Sequence, residues 1–223
     1  MDLTKLEDWF NPIEVTNTIT VIGSGALGSW MIEGLVRMGF TNINIYDDDV
    51  VNPHNISNQN FLESQVGEEK IQCMIDRAKA INPLVKIRGN GRYIFDKKAG
   101  NYLSGYVFLC LDNIDTRRMI VENNPYVMFW TDIRIGLEEG QVYSAGRKER
   151  QRFLDTMQWK QNDPDRVVQV SACGRELGIL PTVWLTISQA LNNFILHLKK
   201  NEDIQPFKTI LSDSVAMKTV TFK

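Results

Sequence analysis

The sequence predicts an α/β fold with a doubly wound, mainly parallel sheet, an antiparallel edge and a C-terminal helix. Three observations predict it. Short β-branched runs alternate with amphipathic helical runs, the pattern of repeated strand-helix-strand units. A glycine-rich turn joins the first clear strand to the first long helix. The run Tyr106 to Leu111 (YVFLCL) is apolar throughout, as a strand covered on both faces requires.

The elements follow in order. Residues 3–10 suit a short helix that Asn11-Pro12 stops. Thr18 to Ile22 is a β-branched strand leading into Gly23. From Ala26 to Met38, Leu27, Trp30, Met31, Leu35 and Met38 recur near helical spacing, and Gly39 ends the run. Ile43 to Tyr46 is a strand that runs into Asp47, Asp48 and Asp49. Glu68 to Ile81 predicts a helix closed by Asn82-Pro83, and Val85 to Arg88 a strand. After the YVFLCL strand, Asn113-Ile114-Asp115 opens another helix. Val127 to Ile133 is a further strand, and Gln141 to Ser144 is expected to pair antiparallel near the sheet edge. Residues 147–176 are polar and read as an irregular lid or partner-contact segment. A long helix near 181–200 and one terminal strand, roughly 215–222, complete a single domain over residues 1–223.

Composition narrows the function. The chain has 223 residues, 43% of them apolar, enough for a proper core and too short for two comfortable domains. Its 25 Lys+Arg are matched by 27 Asp+Glu, which argues against a basic nucleic-acid binder but leaves room for a local nucleotide pocket. Cys73, Cys110 and Cys173 cannot build a disulfide framework, and the first two sit in core patterns as buried thiols of a reducing compartment. The start, MDLTKLEDWFNP, lacks an apolar signal segment. Polar residues interrupt the apolar stretch Leu177 to Leu198, so it suits a buried helix and not a membrane span. These features predict a cytoplasmic protein.

The strongest local signal is Gly23-Ser24-Gly25-Ala26-Leu27-Gly28 between a strand and a helix. Its G-x-G-x-x-G spacing is that of Rossmann-like nucleotide binders. Gly23 makes the turn, Gly25 admits a phosphate, and Gly28 lets helix pack on strand, while the helix N–H groups face the anion. Asp47 ends the next strand, where a ribose hydroxyl is bound. A turn that merely packs leaves Asp47 unexplained. A nicotinamide-dependent oxidoreductase uses the same fingerprint, but needs a substrate domain or a proton-transferring His or Tyr/Lys pair. His54 lies in a loop, and His197 late on a helix suits a satisfied surface group.

The loop Asp47 to Gln59 (DDDVVNPHNISNQ) separates these readings. It resembles the ThiF/MoeB/HesA-type adenylating enzymes, relatives of the ubiquitin-activating enzymes, whose pattern is roughly D-x-D-x-V-x-x-x-N-[LI]-x-R-Q followed by G-x-x-K. Asp47, Asp49, Val50, Asn55, Ile56 and Gln59 match, and Gly67-Glu68-Glu69-Lys70 supplies the lysine. Ile81-Asn82-Pro83 matches a following break, and Asp112-Asn113 with Arg117 matches "DNxxxR". Cys173 to Pro181, leading to Gln189-Ala190, resembles the family's C-terminal region.

The resemblance implies ATP-dependent adenylation of a carboxylate with release of pyrophosphate. The expected substrate is the C-terminus of a small ubiquitin-like or sulfur-carrier protein. It implies Asp112 as the magnesium ligand, Lys70 as a phosphate contact, Asp47 as the ribose acceptor, and Asn55 and Gln59 as polar nucleotide contacts. The plainer alternatives are an N-cap for Asp112 and a solvated helix position for Lys70. Family members usually form homodimers through their last helices, and here Ile179, Leu180, Val183, Trp184, Ile187, Leu191, Phe194, Ile195 and Leu198 could supply that surface or simply be core.

Three departures qualify the resemblance. The family arginine before Gln59 is Asn58, and the first arginine in the chain is Arg37, so no N-terminal arginine matches either. A positioned arginine is worth orders of magnitude in phosphoryl chemistry. Arg134 is the first candidate to replace it, with Arg37 and Arg92 behind. Its plainer reading is a salt bridge with Asp132 or Glu138. Alternatively, the chain is a nucleotide-holding scaffold of low activity. Paired C-x-x-C ligands are absent, which predicts no structural zinc. Cys173, with Arg175 nearby, is a candidate acyl or sulfur acceptor or else a packing cysteine.

Overall fold

The computed structural model describes residues 1–94, 100–158, 178–199, 207–214 and 216–222. Its centre is an eight-stranded sheet. The strands are β1 (Ile19–Ile22), β2 (Asn42–Tyr46), β3 (Lys86–Asn90), β4 (Gly105–Leu109), β5 (Val127–Ile135), β6 (Glu139–Gly146), β7 (Phe207–Asp213) and β8 (Lys218–Phe222). Their order is β3-β2-β1-β4-β5-β6-β7-β8. The first five are parallel and the last three are added antiparallel. This is the expected Rossmann-like doubly wound fold. The strand order reverses between β1 and β4, opening a crevice at the carboxyl ends of those two strands.

The helices are α1 (Thr4–Glu7), α2 (Ala26–Arg37), α3 (Lys70–Ile81), α4 (Ile114–Asn123), α5 (Arg150–Asp155) and α6 (Leu180–Lys199). Period-2 alternation along β4 assigns them to faces. Tyr106, Phe108 and Cys110 face a core shared with Met31 and Leu35 of α2 and Phe194 of α6. Val107 and Leu109 face a second core with Ile114 and Ile120 of α4 and Phe153 of α5. Phe194 binds α6 to the sheet through ring contacts to Tyr106 and Phe108, both at 5.1 Å between centroids. Polar groups on α6 are matched in the same interface: Asn193 Nδ2 donates to Ser144 Oγ at 2.6 Å, and Thr182 Oγ1 to the Leu137 carbonyl. Among the described residues, no helix is long and apolar enough to cross a membrane.

Four expectations need correction. The C-terminal region is a hairpin, β7 and β8, rather than one strand. Consequently β6, expected near the edge, is an interior strand. The start of the segment expected to be irregular is helical: Arg147–Glu149 forms a 3-10 turn that runs into α5. There Phe153, Leu154 and Met157 are buried in the second core, while Arg150 donates to the Val121 and Glu122 carbonyls that end α4. Lastly, His197 is no surface group, because its ring stacks on Phe129 at 3.8 Å between centroids. Burial drives its pKa down to about 4. Cys173 and residues 159–177 lie outside the described residues.

Candidate nucleotide site

The glycine turn closes β1 onto α2 with the tight geometry its sequence demands. Gly23 has φ +92°, and a Cβ there would stand 2.8 Å from the Cys110 carbonyl oxygen. A Cβ at Gly28 would stand 1.7 Å from the Gly23 carbonyl oxygen. These two glycines are required by packing. Gly25, the N-cap of α2, is different: its nearest neighbour of that kind is Gln59 Nε2, at 4.0 Å. Space over Gly25 is therefore kept open at the amino end of a helix whose first N–H groups have no partner within it.

A chain of contacts runs from this turn through Asp47 and Asp49 to Lys70. Asp47, just past β2, accepts from the Ser24 N–H at 2.6 Å and from the Asp49 N–H at 2.8 Å. Asp49 in turn holds the Lys70 ammonium at 3.0 Å. Lys70 is not a solvated helix residue, since its side chain is only 6% exposed while Asp49 is open to solvent. Asn55 is buried, and its side-chain Oδ1 accepts from the Asn52 N–H at 2.9 Å, fixing the 3-10 turn Pro53–Asn55. Asp48 stands 3.9 Å from Arg92.

Two polar atoms at the turn are buried without a partner among the described residues, Ser24 Oγ and Gln59 Oε1. Buried polar groups left unpaired are costly; of these two, the Ser24 hydroxyl can donate to an anion, whereas Gln59 Oε1 can only accept. Ala26 and Leu27 form the first residues of α2 directly above.

Asp112 follows β4 on the other side of the crevice. Contact of Gly23 with the Cys110 and Leu111 backbone sets the glycine turn beside the chain that leads to it. It is exposed and takes no hydrogen bond or ion pair among the described residues. The N-cap of α4 is Asn113, whose side chain accepts from the Thr116 N–H at 2.9 Å, so the capping alternative for Asp112 fails. The Asp47, Asp48 and Asp49 carboxylates lie within 4.8 Å of one another, but Lys70, the turn backbone and Arg92 already answer their charge. Asp112 is left as an uncommitted hard oxygen ligand of the kind that could hold a magnesium ion.

The arginines lie elsewhere. Arg134 Nε donates to Asp132 at 2.7 Å, its NH1 to the Thr156 carbonyl at 3.0 Å, and its guanidinium lies 4.4 Å from the centre of the Tyr143 ring. The salt bridge with Asp132 is thus real, and any role with substrate must coexist with it. Arg117 is buried between β4 and β5, donating to the Leu109 and Ile133 carbonyls and to Asp132. Arg37 pairs with Glu33 at the far end of α2. Asn58, standing where the family pattern has arginine, donates its amide to the Gly178 carbonyl.

Both described cysteines are inert thiols. Burial pushes Cys110 up to about 12, and burial with a hydrogen bond to Glu68 pushes Cys73 to about 11. Sequence reasoning missed Ser29, Trp30 and Glu33, which hold the Gln59 loop from α2. One signal was available: Ser29, Glu33 and Arg37 form a polar stripe at four-residue spacing on an otherwise apolar helix.

Fold and turn together define a Rossmann-like α/β protein with its ligand crevice at the β1/β4 switch. The chain belongs to the ThiF superfamily of adenylating enzymes, relatives of the ubiquitin-activating enzymes: the ThiF family model matches residues 14–124. It is 31% identical over 107 residues to tRNA threonylcarbamoyladenosine dehydratase of Haemophilus influenzae, covering 46% of this chain and 41% of that one. It is 30% identical over 139 residues to the probable adenylyltransferase/sulfurtransferase MoeZ of Mycobacterium tuberculosis, covering 53% and 36%. The fold matches Escherichia coli MccB solved with ATP, with TM-score 0.67 at 14% identity, over 94% of this chain and 64% of that one. The matches thus span less than half the length of these two curated relatives.

Proposed function

We propose that the protein uses ATP to adenylate a carboxylate and releases pyrophosphate. The observation that carries this reading is the open Gly25 at the amino end of α2, beside the unpaired buried Ser24 hydroxyl and the Asp47 carboxylate that accepts from the Ser24 N–H. In the reaction a carboxylate oxygen attacks the α-phosphorus, and the bond from that phosphorus to the bridging oxygen of pyrophosphate breaks. The helix amino end and Lys70 bind the phosphates, and Asp47 receives the ribose. Asn55 and Gln59 add polar contacts. A magnesium ion held by Asp112 would neutralise charge on the triphosphate. Arg134 borders the substrate carboxylate from β5.

The substrate we favour is the C-terminal carboxylate of a small ubiquitin-like or sulfur-carrier protein, in keeping with MoeZ being named an adenylyltransferase/sulfurtransferase. A homodimer contact is proposed at Ile179 and Trp184, the exposed apolar residues at the start of α6. Val183, Ile187, Phe194 and Ile195 are taken up by the core. Cys173 remains the proposed acyl or sulfur acceptor.

Carrier-dependent exchange of labelled pyrophosphate into ATP tests the reading. Exchange that is lost in Asp112→Ala with the melting temperature unchanged supports it. A second reading, a nucleotide-holding scaffold, is favoured by Asn58 in the arginine position and its bond to Gly178. ATP binding without exchange in the presence of carrier would select the scaffold. Tighter binding of NADH than of ATP would overturn both.

A further inference from the structure

The loop that carries Gln59 is gripped from α2 by three residues within little more than one helical turn. Trp30 Nε1 donates to the Asn58 carbonyl at 3.1 Å. Ser29 Oγ accepts from the Asn60 N–H at 3.0 Å, and Glu33 accepts from Asn60 Nδ2 at 2.5 Å. Burial pushes the Glu33 carboxyl up, but the bonds from Asn60 and Arg37, with the charges of Arg37 and Arg77, outweigh it and hold it below the usual range. Both neighbours of Gln59 are therefore fixed, while the Gln59 side-chain donor, Nε2, is the atom nearest the space over Gly25, 4.0 Å from where a Cβ would stand. Ser29 does more than the other two. Its hydroxyl donates to the Gly25 carbonyl at 2.7 Å while accepting from Asn60. One fully buried hydroxyl is thus bonded at once to the glycine turn and to the loop above it.

We propose that Ser29 is a positioning residue that sets the gap between Gly25 and Gln59, so that the Gln59 amide N–H meets a phosphate oxygen of a nucleoside triphosphate seated on the turn. The inference rests on the nucleotide reading above. A hydroxyl is suited to the task because it donates and accepts at once, and no other small side chain of that length does both. Replacing it with a methyl group leaves the Asn60 N–H without this partner, while the Gly25 carbonyl keeps only its bond from the Ser29 N–H, and the loop relaxes away from the turn. A merely structural serine would produce the same loosening without involving Gln59.

A double-mutant cycle separates the two. The dissociation constant of Mg-ATP is measured by calorimetry for the full chain and for Ser29→Ala, Gln59→Ala and the double variant. Each single change is expected to weaken binding about tenfold, the loss of one hydrogen bond to a charged group. The double variant is expected to bind no more weakly than Gln59→Ala, and Ser29→Thr to recover most of the affinity lost in Ser29→Ala. If Ser29→Ala fails to fold, Ser29→Cys keeps the size with a poor hydrogen-bonding group and enters the same cycle. Losses that add in the double variant, or unchanged affinity in the single serine variant, overturn the proposal. Wild-type protein that binds no ATP overturns the nucleotide reading itself, and this inference with it.

Discussion

The Asn58 side-chain amide donates to the Gly178 carbonyl at 2.6 Å, joining points 120 residues apart in the chain. On its other side Asn58 accepts from Trp30, whose ring meets Trp184 of α6 edge-on at 5.6 Å. Asn58 therefore fastens the start of α6 to the nucleotide loop. In Asn58→Ala, amide exchange over residues 178–183 is expected to accelerate about fivefold. Loss of one such bond, about 1 kcal/mol, would lower the melting temperature by about 2–4 °C. Unaltered exchange there would refute the fastening role.

Gly25 and Gly28 make opposite predictions although they share one motif. Gly28→Ala drives a methyl group into the Gly23 carbonyl, so soluble yield or melting temperature should collapse. Gly25→Ala meets no atom closer than 4.0 Å, so the fold should survive with its melting temperature within a few degrees of wild type. Its ATP affinity should nevertheless fall at least tenfold, because the methyl group occupies phosphate space. Retained ATP binding in Gly25→Ala would show that the open space serves something else.

Asp132 is fully buried and receives both Arg117 and Arg134. Removal of Arg117 also abandons the Leu109 and Ile133 carbonyls inside the core. Arg117→Ala is therefore expected to cost about 3 kcal/mol in a urea melt, the scale of a broken buried pair. Arg134→Ala should cost clearly less, since Arg134 is partly exposed and Asp132 keeps its other partner. The reverse ranking would contradict this arrangement.

His197 gives the protein an acid-side weakness. Burial lowers its pKa from 6.5 to about 4 in the folded chain. Between those values the unfolded chain takes up a proton that the native state refuses, so stability is complete above 6.5 and falls as pH drops toward 4. The loss is about 2 kcal/mol after allowing for partial exposure. His197→Phe, which can keep the stack on Phe129, should flatten that part of the stability profile. An equally steep profile in the variant would assign the acid loss to other groups.

Much of the nucleotide half was legible because its signals are local. Alternation of β-branched strands and apolar helical stripes located β1 to β5, α2 and α3, and the spacing of Gly23, Gly25 and Gly28 located the turn. The C-terminal hairpin was not legible for an equally local reason: the positive φ between its strands falls on Met217, at 51°, so no glycine or asparagine marked the turn. In α5 the polar run Arg147 to Arg152 concealed a helix whose buried contribution is only Phe153 and Leu154.

The amino-acid sequence by itself determined the doubly wound architecture, the glycine turn and the acid that closes it, since backbone sterics and burial periodicity act between neighbours in the chain. Only the tertiary structure decided which polar groups were already paired. It tied Lys70 to Asp49, Asn58 to Gly178 and Arg134 to Asp132, and left Ser24 and Gln59 unsatisfied. Hydrogen bonds and desolvation depend on distances of a few ångströms between segments far apart in sequence, and folding alone sets those distances.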